Sequence, residues 1–367
     1  MKETKCRCGR VKMPQVGRWI PRSCRMVLSV LLISILVVSS SGCSDQGGQD
    51  TVELKLAHFF PANHPAEKEL IQPWAAAIEE ATQGKVKIIS YPNQTLLSAD
   101  TIYEGVVTGV ADIGLSCFAY TRGRFPVLEV LELPGIIYDN SKAASYVAWE
   151  TIRQINPAEI QDTKLMMVLT TGSGDIFTRE PVRNLADLKG KEIRATGLSA
   201  RTLEILGATP VAMPQSDAYE SLSKGVVNGN LGPVEVLKGW KQAEVTDYLT
   251  KTPFLYNTVF FVTMNLDKWN SLDAETQKIF EDANNQFFAE VASSLWDKQN
   301  EEALDWAVKE QGIEVISLSP EEQDLWIEKV KPVQEEYVAK MNQSGINGQE
   351  ILDTVKKLAT EFNQQFQ

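Results

Sequence analysis

Residues 185–229 read LADLKGKEIRATGLSARTLEILGATPVAMPQSDAYESLSKGVVNG. It contains two short strand-like runs, KEIRA (191–195) and TPVAM (209–213), and each is followed by a helix-forming stretch. The second of these stretches passes through Gly225 into a further apolar run. Alternation of short apolar runs with amphipathic segments is typical of α/β proteins. We therefore predict an α/β fold.

The same alternation extends to both sides of this segment. Helices are predicted over 66–82 and 274–311, the second closed by Gly312, and a third begins at the capping box Ser319-Pro320-Glu321-Glu322, with Pro332 inside it. Six more runs read as strands: VELKLA (52–57), VKIISY (86–91), ADIGLS (111–116), KLMMVLTT (164–171), LYNTVFFVTMN (255–265) and IEVISL (313–318).

An internal echo indicates two lobes. GVVTG (105–109) recurs as GVVNG (225–229), each after a helix that carries a Tyr-Glu pair. We assign 52–172 plus 257–300 to lobe I, 173–256 plus 301–345 to lobe II, and 346–367 to a C-terminal helix. Two α/β lobes place the best ligand site between them, where the carboxyl ends of strands meet.

Residues 1–42 have the composition of a secretory signal. They hold eight basic residues and one acid, followed by the uncharged run VLSVLLISILVV (27–38) and by small residues. The run is shorter than the roughly 20 residues of a membrane span. The sequence therefore predicts export.

Cys43 follows Gly42, and this pair resembles the cleavage point of bacterial lipoproteins, where the cysteine becomes the lipidated first residue of the mature chain. Residues 43–51 then read as a flexible, glycine-containing tether. We expect a lipid anchor on Cys43 and an extracytoplasmic location. Ordinary cleavage nearby is the alternative.

The charge balance argues against nucleic acid as a partner. Residues 1–42 hold eight of the 36 basic and one of the 48 acidic residues, so the remainder carries 28 basic against 47 acidic residues, or −19. Binding phosphates requires a basic face. Beyond Cys43 the only cysteine is Cys117, so no disulfide within the mature chain is expected.

The residues offer little to an enzyme. The whole chain has two histidines, His58 and His64, both in AHFFPANHP (57–65). No GxSxG, HExxH or phosphate-binding glycine loop occurs, and the histidine spacing does not favour zinc. We predict a protein without catalytic residues, cofactor or metal, although an exported lyase or hydrolase stays an alternative.

Arg194 is the strongest candidate for a ligand contact. It ends the strand KEIRA, directly before a glycine-containing turn and a helix. A guanidinium in that position can hold a carboxylate through two parallel hydrogen bonds. The ligand predicted by this residue is a small organic acid.

From Val52 to about Asn265 the chain resembles the DctP-type solute receptors of tripartite ATP-independent periplasmic (TRAP) transporters. The resemblance lies in the order and spacing of several motifs over more than 200 residues. These are NHPAEKEL (63–70), TQGKVKIISYPNQTL (82–96), GVADIG (109–114), GRFPVLEVLELP (123–134), the segment 185–229 quoted above, Pro233 and AEVTDYLT (243–250).

The resemblance implies a two-lobed periplasmic-binding-protein fold of type II, with one long C-terminal helix that spans both lobes. It also implies that the family's carboxylate-binding arginine corresponds to Arg194 in IRATG. Many relatives carry Gly-Gln-Glu-Asn-Pro where this chain has GNLGP (229–233), so Gly232 replaces an asparagine that often touches ligand. Asn230 or the backbone near Gly232 can take over that contact.

Other candidates follow from their positions at strand ends. His58 and Phe59, with Phe60 next to them, follow the first strand, and Phe118 and Tyr120 follow ADIGLS. Thr171 and Ser173 lie where the chain crosses between lobes. Further candidates are Arg179, as a second cation, Tyr256 and Asn257. The aromatic residues hint at a monocarboxylate with an apolar body, although each is also a candidate for core packing.

The expected mechanism is capture by closure, followed by delivery to an integral membrane permease of the TRAP type, which the resemblance implies. A receptor for an ATP-driven importer and a receptor for a membrane sensor share the two-lobed plan and stay open as alternatives.

Overall fold

The computed structural model describes residues 51–367. The predicted signal segment, Cys43 and most of the tether lie outside the described residues. The described part is one compact unit with two β-sheets. Within it, no helix combines the length and the apolar character that crossing a membrane requires.

The first sheet has the strand order β2-β1-β3-β10-β4. Strands β1, β2 and β3 are parallel, and β10 runs antiparallel between β3 and β4. Strands β3, β4 and β10 are buried along most of their length, whereas β1 and β2 expose Glu53, Lys55 and Lys87. Its members are β1 (Val52–His58), β2 (Val86–Tyr91), β3 (Ile113–Cys117), β4 (Thr163–Thr170) and β10 (Val259–Asn265).

The second sheet has the order β11-β9-β5-β8-β6-β7. Here β6 is parallel to β7 and β8, while β5 runs antiparallel to β8 and β9. Its members are β5 (Asp175–Thr178), β6 (Glu192–Ala195), β7 (Thr209–Ala212), β8 (Gly229–Gly232), β9 (Tyr248–Lys251) and β11 (Glu314–Ser317). We call the parts built on the two sheets the first and the second lobe.

Twelve α-helices accompany these strands in the described residues. They are α1 (Gln72–Ala81), α2 (Ile102–Val107), α3 (Ser141–Ile155), α4 (Leu185–Leu188), α5 (Gly197–Leu206), α6 (Gln215–Ser223), α7 (Val236–Gly239), α8 (Leu266–Ser271), α9 (Ala274–Glu290), α10 (Leu295–Trp306), α11 (Pro320–Gln343) and α12 (Gly348–Gln365). The fold class predicted from the sequence, α/β with two sheets, is confirmed.

The single helix predicted over 274–311 was wrong. The backbone leaves helical geometry at Val291 (φ −128°, ψ −63°), and a 3₁₀ turn over Ala292–Ser294 separates α9 from α10. The break turns the carbonyl of Ser293 toward α3, where it accepts hydrogen bonds from the hydroxyls of Ser141 and Ser145. Tertiary hydrogen bonds have therefore overridden the helical periodicity.

Helix α11 divides its buried face between two cores. Trp326 and Val330 belong to the apolar cluster of the second lobe, whereas Val333, Tyr337 and Met341 belong to that of the first. The helix continues through Pro332 between these two groups. The sequence placed 320–345 wholly in the second lobe, and the structure corrects this, because the burial of the C-terminal half lies in the first.

Two connecting segments join the sheets side by side. The backbone N–H of Thr171 donates to the carbonyl of Thr258, and that of Gly174 donates to the carbonyl of Tyr256. Gly174 must be a glycine, since an added Cβ would lie 2.6 Å from the carbonyl oxygen of Gly232. These paired segments bring the carboxyl ends of both sheets to one place.

Candidate functional site

Arg194 is buried at the C-terminal end of β6, with 1% of its surface exposed. Parallel pairing with β8 sets Asn230 directly beside it. The Nε atom donates to the carbonyl of Met213 at 3.0 Å, and Nη1 donates to Oε1 of Gln215 at 3.0 Å and to Oδ1 of Asn230 at 3.3 Å. All three acceptors are uncharged.

No protein carboxylate neutralises this guanidinium. In residues 51–367 the arginines that form ion pairs with acids are Arg124, Arg153, Arg183 and Arg201, and Arg194 is not among them. Its Nη2 donates to no acceptor in that part of the chain. Buried charges in proteins are almost always paired, because desolvation of an isolated ion is costly. A buried guanidinium without a carboxylate partner can chemically accommodate an anion.

A small cavity, about 20 Å³ in volume, lies next to Arg194. It is formed by both lobes and by the connecting segments, and we call it the Arg194 cavity. Its lining comprises Phe59, Phe60, Cys117, Tyr120, Thr171, Arg194, Gln215, Pro233, Glu235, Val236, Trp240, Tyr256, Thr258 and Phe260.

Aromatic rings make up most of the apolar wall. Phe59 stacks on Phe60 with ring centroids 4.4 Å apart, and its centroid lies 5.3 Å from that of Tyr120 in an edge-type arrangement. Trp240 lies 6.1 Å from Phe59, and Phe260 lies 5.7 Å from Phe60. Such stacked and edge-on rings are rigid and present a largely apolar surface to the cavity.

Three polar atoms on this wall have no hydrogen-bond partner in the structure: Nε2 of Gln215, Nε1 of Trp240 and Oγ1 of Thr258. Each is buried, and unsatisfied buried polar atoms are rare in proteins. Two are obligate donors and the third can donate, so together with Arg194 they offer a ligand a set of hydrogen-bond donors.

The positive charge of Arg194 acts on the side chains around it. Burial raises the pKa of the Tyr256 phenol and of the Cys117 thiol, and the nearby guanidinium partly offsets both shifts. Both groups therefore stay neutral at physiological pH. Neither group therefore adds a negative charge next to the guanidinium.

Two hydrogen bonds join the lobes at the rim of the cavity. The backbone N–H of Gln215 donates to the hydroxyl of Tyr120 at 3.0 Å. Nε2 of His64 lies 3.3 Å from Oε2 of Glu235. Because Nδ1 of His64 accepts from the backbone N–H of Ala66, its Nε2 carries the proton and donates to Glu235.

Five of the residues predicted from the sequence line this cavity: Phe59, Tyr120, Thr171, Arg194 and Tyr256, and Phe60 joins them. Asn230 lies behind Arg194 and orients it, and its Nδ2 donates to Gln242. Gly232 does not line the cavity; an added Cβ there would meet Nδ2 of Asn230 at 3.2 Å. Asn257 donates to the carbonyl of Leu131 instead.

Four predicted residues lie elsewhere. His58 is fully buried and holds Glu67 through a 2.8 Å hydrogen bond, which helps to lower the pKa of that carboxyl against the effect of burial. Phe118 packs on Phe125 and Phe261 in the first lobe. Ser173 donates to the carbonyl of Tyr138.

Arg179 is the fourth. Its side chain is exposed and donates to the carbonyls of Leu222 and Val245, so it ties two segments of the second lobe together. As a surface residue bound to backbone oxygens, it does not supply the second cation that the sequence suggested.

Sequence reasoning missed several wall residues: Gln215, Glu235, Trp240, Thr258 and Phe260. A usable signal existed for two of them. Gln215 follows β7 and Glu235 follows β8, so the strand-end rule that singled out Arg194 applies to both. Trp240 directly follows α7, and Phe260 lies in β10. No local sequence pattern marks either residue as part of a binding site.

A larger cavity of about 420 Å³ opens at the same cleft. Its wall carries the acids Glu129, Glu132 and Glu204, and its Arg201 is already paired with Glu204 and Glu336. Burial raises the pKa of Glu132 to about 8, against a hydrogen bond from the N–H of Val259. The two cations of this wall, Arg122 and Arg201, are not buried and Arg201 is already paired, so the wall offers no buried, unpaired guanidinium like that of Arg194.

Comparison with known proteins agrees with this arrangement. Residues 56–341 match the family model of the bacterial extracellular solute-binding proteins, family 7 (DctP). The 2,3-diketo-L-gulonate-binding periplasmic protein YiaO of Escherichia coli is 26% identical over 65% of this chain and 74% of its own length.

Two solved structures resemble the fold. A TRAP periplasmic solute-binding protein from Desulfovibrio salexigens is 35% identical, with a TM-score of 0.75, over 87% of this chain and 98% of that one. A marine metagenome TRAP solute-binding protein specific for aromatic acids, in complex with 3-hydroxybenzoate, is 30% identical, with a TM-score of 0.80, over 85% and 99%. The chain belongs to the DctP family of TRAP-type extracytoplasmic solute-binding proteins.

Proposed function

We propose that this receptor binds a small organic acid in the Arg194 cavity, closes around it, and delivers it to an integral membrane permease of the TRAP type. The observation that carries the proposal is the buried guanidinium of Arg194, which has three uncharged protein acceptors and no carboxylate. A ligand carboxylate supplies the missing charge and can engage the guanidinium through two hydrogen bonds.

The free energies of binding indicate that closure of the lobes must contribute to the affinity. A dissociation constant near 1 μM corresponds to about −8 kcal/mol. A charge-assisted hydrogen bond contributes roughly 1.5–3 kcal/mol net. Arg194 alone therefore does not hold a dilute acid, and the remainder comes from the aromatic wall and from desolvation as the lobes meet. A ligand drives this closure only if it favours the closed state over the open one.

The contacts of the two histidines favour a receptor without catalysis. His58 is engaged with Glu67 and Ser90, away from the cavity, and His64 is engaged with Glu235 and the backbone of Ala66. Neither histidine is free to serve as a general base beside Arg194. The ligand is then released unchanged to the permease, and anchoring through a lipid on Cys43 keeps the receptor at the membrane.

The test is a thermal-shift screen of C3–C8 and aromatic carboxylates, followed by calorimetry on the hits. A ligand at 100 times its dissociation constant stabilises the folded state by about 2.7 kcal/mol. We expect Arg194→Lys to weaken the affinity for any hit strongly and Arg194→Ala to abolish binding. Circular dichroism verifies that both variants fold.

Arg179→Ala is the matched control, because Arg179 belongs to the same lobe but lies on the surface. It should leave the affinity unchanged. Unaltered affinity in Arg194→Ala would overturn the assignment of the site, and the absence of any hit among the carboxylates would overturn the ligand class.

A further inference from the structure

The charges on the wall of the Arg194 cavity are one cation and one acid. As far as residues 51–367 are concerned, Arg194 is the only basic residue of the lining and Glu235 is the only acidic one. The first carboxylate of a ligand is met by Arg194. A second carboxylate would find no further cation in the cavity and would meet Glu235 instead.

Glu235 is a built part of this wall. It is 3% exposed, and His64 from the first lobe donates to its Oε2 at 3.3 Å. Its own backbone N–H donates to Oδ1 of Asn300 at 2.9 Å. These contacts fix both the main chain and the carboxylate.

Gly239 leaves the space that this pair needs. An added Cβ at Gly239 would lie 2.5 Å from Oε2 of Glu235 and 3.2 Å from Nε2 of His64. Its φ is not positive, so glycine is required here by close approach and not by backbone conformation. The position of the carboxylate therefore depends on three residues from two lobes.

The rest of the wall is largely aromatic. Six aromatic side chains line the cavity, and Phe59 and Phe60 stack on each other. A planar apolar body gains contact with such rings. The three unpartnered donors of the wall, on Gln215, Trp240 and Thr258, are available to the oxygens of the ligand.

We propose that the ligand is a monocarboxylate with a flat, apolar body of the aromatic-acid kind, and that Glu235, held by His64, excludes acids with a second carboxylate. This inference rests on the proposed function and names its ligand class. A like charge placed against a buried carboxylate suppresses the wrong partner, which is discrimination by repulsion.

The test compares ligands that share one ring. Calorimetry at neutral pH measures benzoate, 3-hydroxybenzoate and isophthalate, with succinate as a flexible dicarboxylate. We expect the two monocarboxylates to bind and both dicarboxylates to bind at least about tenfold more weakly. Glu235→Gln keeps the shape of the side chain and removes its charge. It should reduce the difference in affinity between benzoate and isophthalate.

Glu220→Gln is the matched control. It makes the same change of net charge at an exposed position of the second lobe, where Glu220 pairs with Lys224. It should leave the ratio of the benzoate and isophthalate dissociation constants unchanged. A wild-type protein that binds either dicarboxylate as tightly as benzoate overturns the inference. If Glu235→Gln leaves this ratio of dissociation constants unchanged, Glu235 does not exclude the second carboxylate.

The outcomes separate the two proposals. If a dicarboxylate or a polar acid binds in an Arg194-dependent manner, only the ligand class is wrong and the receptor function stands. If none of the four acids binds and the wider carboxylate screen also finds no ligand, both proposals fail.

Discussion

The hydroxyl of Tyr120 in the first lobe accepts a hydrogen bond from the backbone N–H of Gln215 in the second, with 3.0 Å between oxygen and nitrogen. Gln215 also accepts a hydrogen bond from Arg194 through its side chain. One residue therefore links the interlobe contact to the candidate anion site. We therefore expect lobe closure and ligand binding to be coupled through Gln215.

Tyr120→Phe should weaken ligand binding. The substitution keeps the ring against Phe59 and removes only the oxygen that Gln215 reaches, so we expect a loss of about 1 kcal/mol, or roughly fivefold in affinity. Calorimetry measures the affinity, and small-angle scattering measures whether the ligand still compacts the protein. Tyr219→Phe, which removes an exposed hydroxyl bonded to Glu244, is the control. Equal affinity in both variants would contradict the coupling.

Glu132→Gln should change the dependence of stability on pH. Burial raises the folded-state pKa of Glu132 to about 8, well above its ordinary value of 4.5. The favourable contribution of the protonated form is complete below pH 4.5 and is lost as the pH rises toward 8. The variant should therefore match the wild type at low pH and exceed it by at most a few kcal/mol at pH 9.

Thermal melting from pH 4 to pH 9 measures this difference. The amide of the variant can still accept the hydrogen bond from Val259, so the contact itself is preserved. Glu220→Gln is the comparison, because Lys224 lowers the pKa of Glu220 and no gain at high pH is expected there. Parallel wild-type and Glu132→Gln profiles would show that the carboxyl titrates normally.

Leu352→Ala should destabilise the protein without altering ligand affinity. Leu352 is 3% exposed on α12, which packs on α3 and lies beyond the part of the chain that matches the family model. Truncation of a buried leucine costs about 2–5 kcal/mol. Chemical denaturation measures the loss, and Leu325→Ala, at a position that is 44% exposed, should cost little. A change in affinity would connect α12 to the site.

Cys43→Ala should release the protein from the membrane fraction. The prediction rests on the sequence SSSGC (39–43) after the apolar run. Mass spectrometry of the protein from membranes should find a lipid on Cys43 at the new N-terminus. An unmodified terminus at another residue would exclude the anchor, and a signal segment cleaved in the ordinary way would then explain export.

Much of the fold was predictable because it depends on local patterns. Apolar runs such as KLMMVLTT (164–171) lie within sheets that are covered on both faces, and their strands were found without knowledge of the tertiary structure. The helix break at Val291 was not predictable, since it is stabilised by hydroxyls of Ser141 and Ser145 from a distant segment.

The candidate site divides in the same way. Arg194 was accessible to sequence reasoning because a strand end and a helix start fix its position locally. Trp240 and Phe260 were not, because their place in the wall depends on how the lobes meet. Arg179 shows the converse: a cation in a plausible segment turned out to serve backbone carbonyls at the surface.

The path of α11 has a mechanical consequence. Pro332 has no N–H to donate to the carbonyl of Glu328, so the helix lacks one intrahelical hydrogen bond at the point where its buried face passes from one core to the other. Bending costs least where a helix lacks such a bond. We expect α11 to bend at Pro332 when one lobe rotates against the other. Trp326 and Tyr337 would then each stay packed in the core of its own lobe while the angle between the two halves of the helix changes. The helix would then permit rotation of the lobes relative to each other and resist their translation.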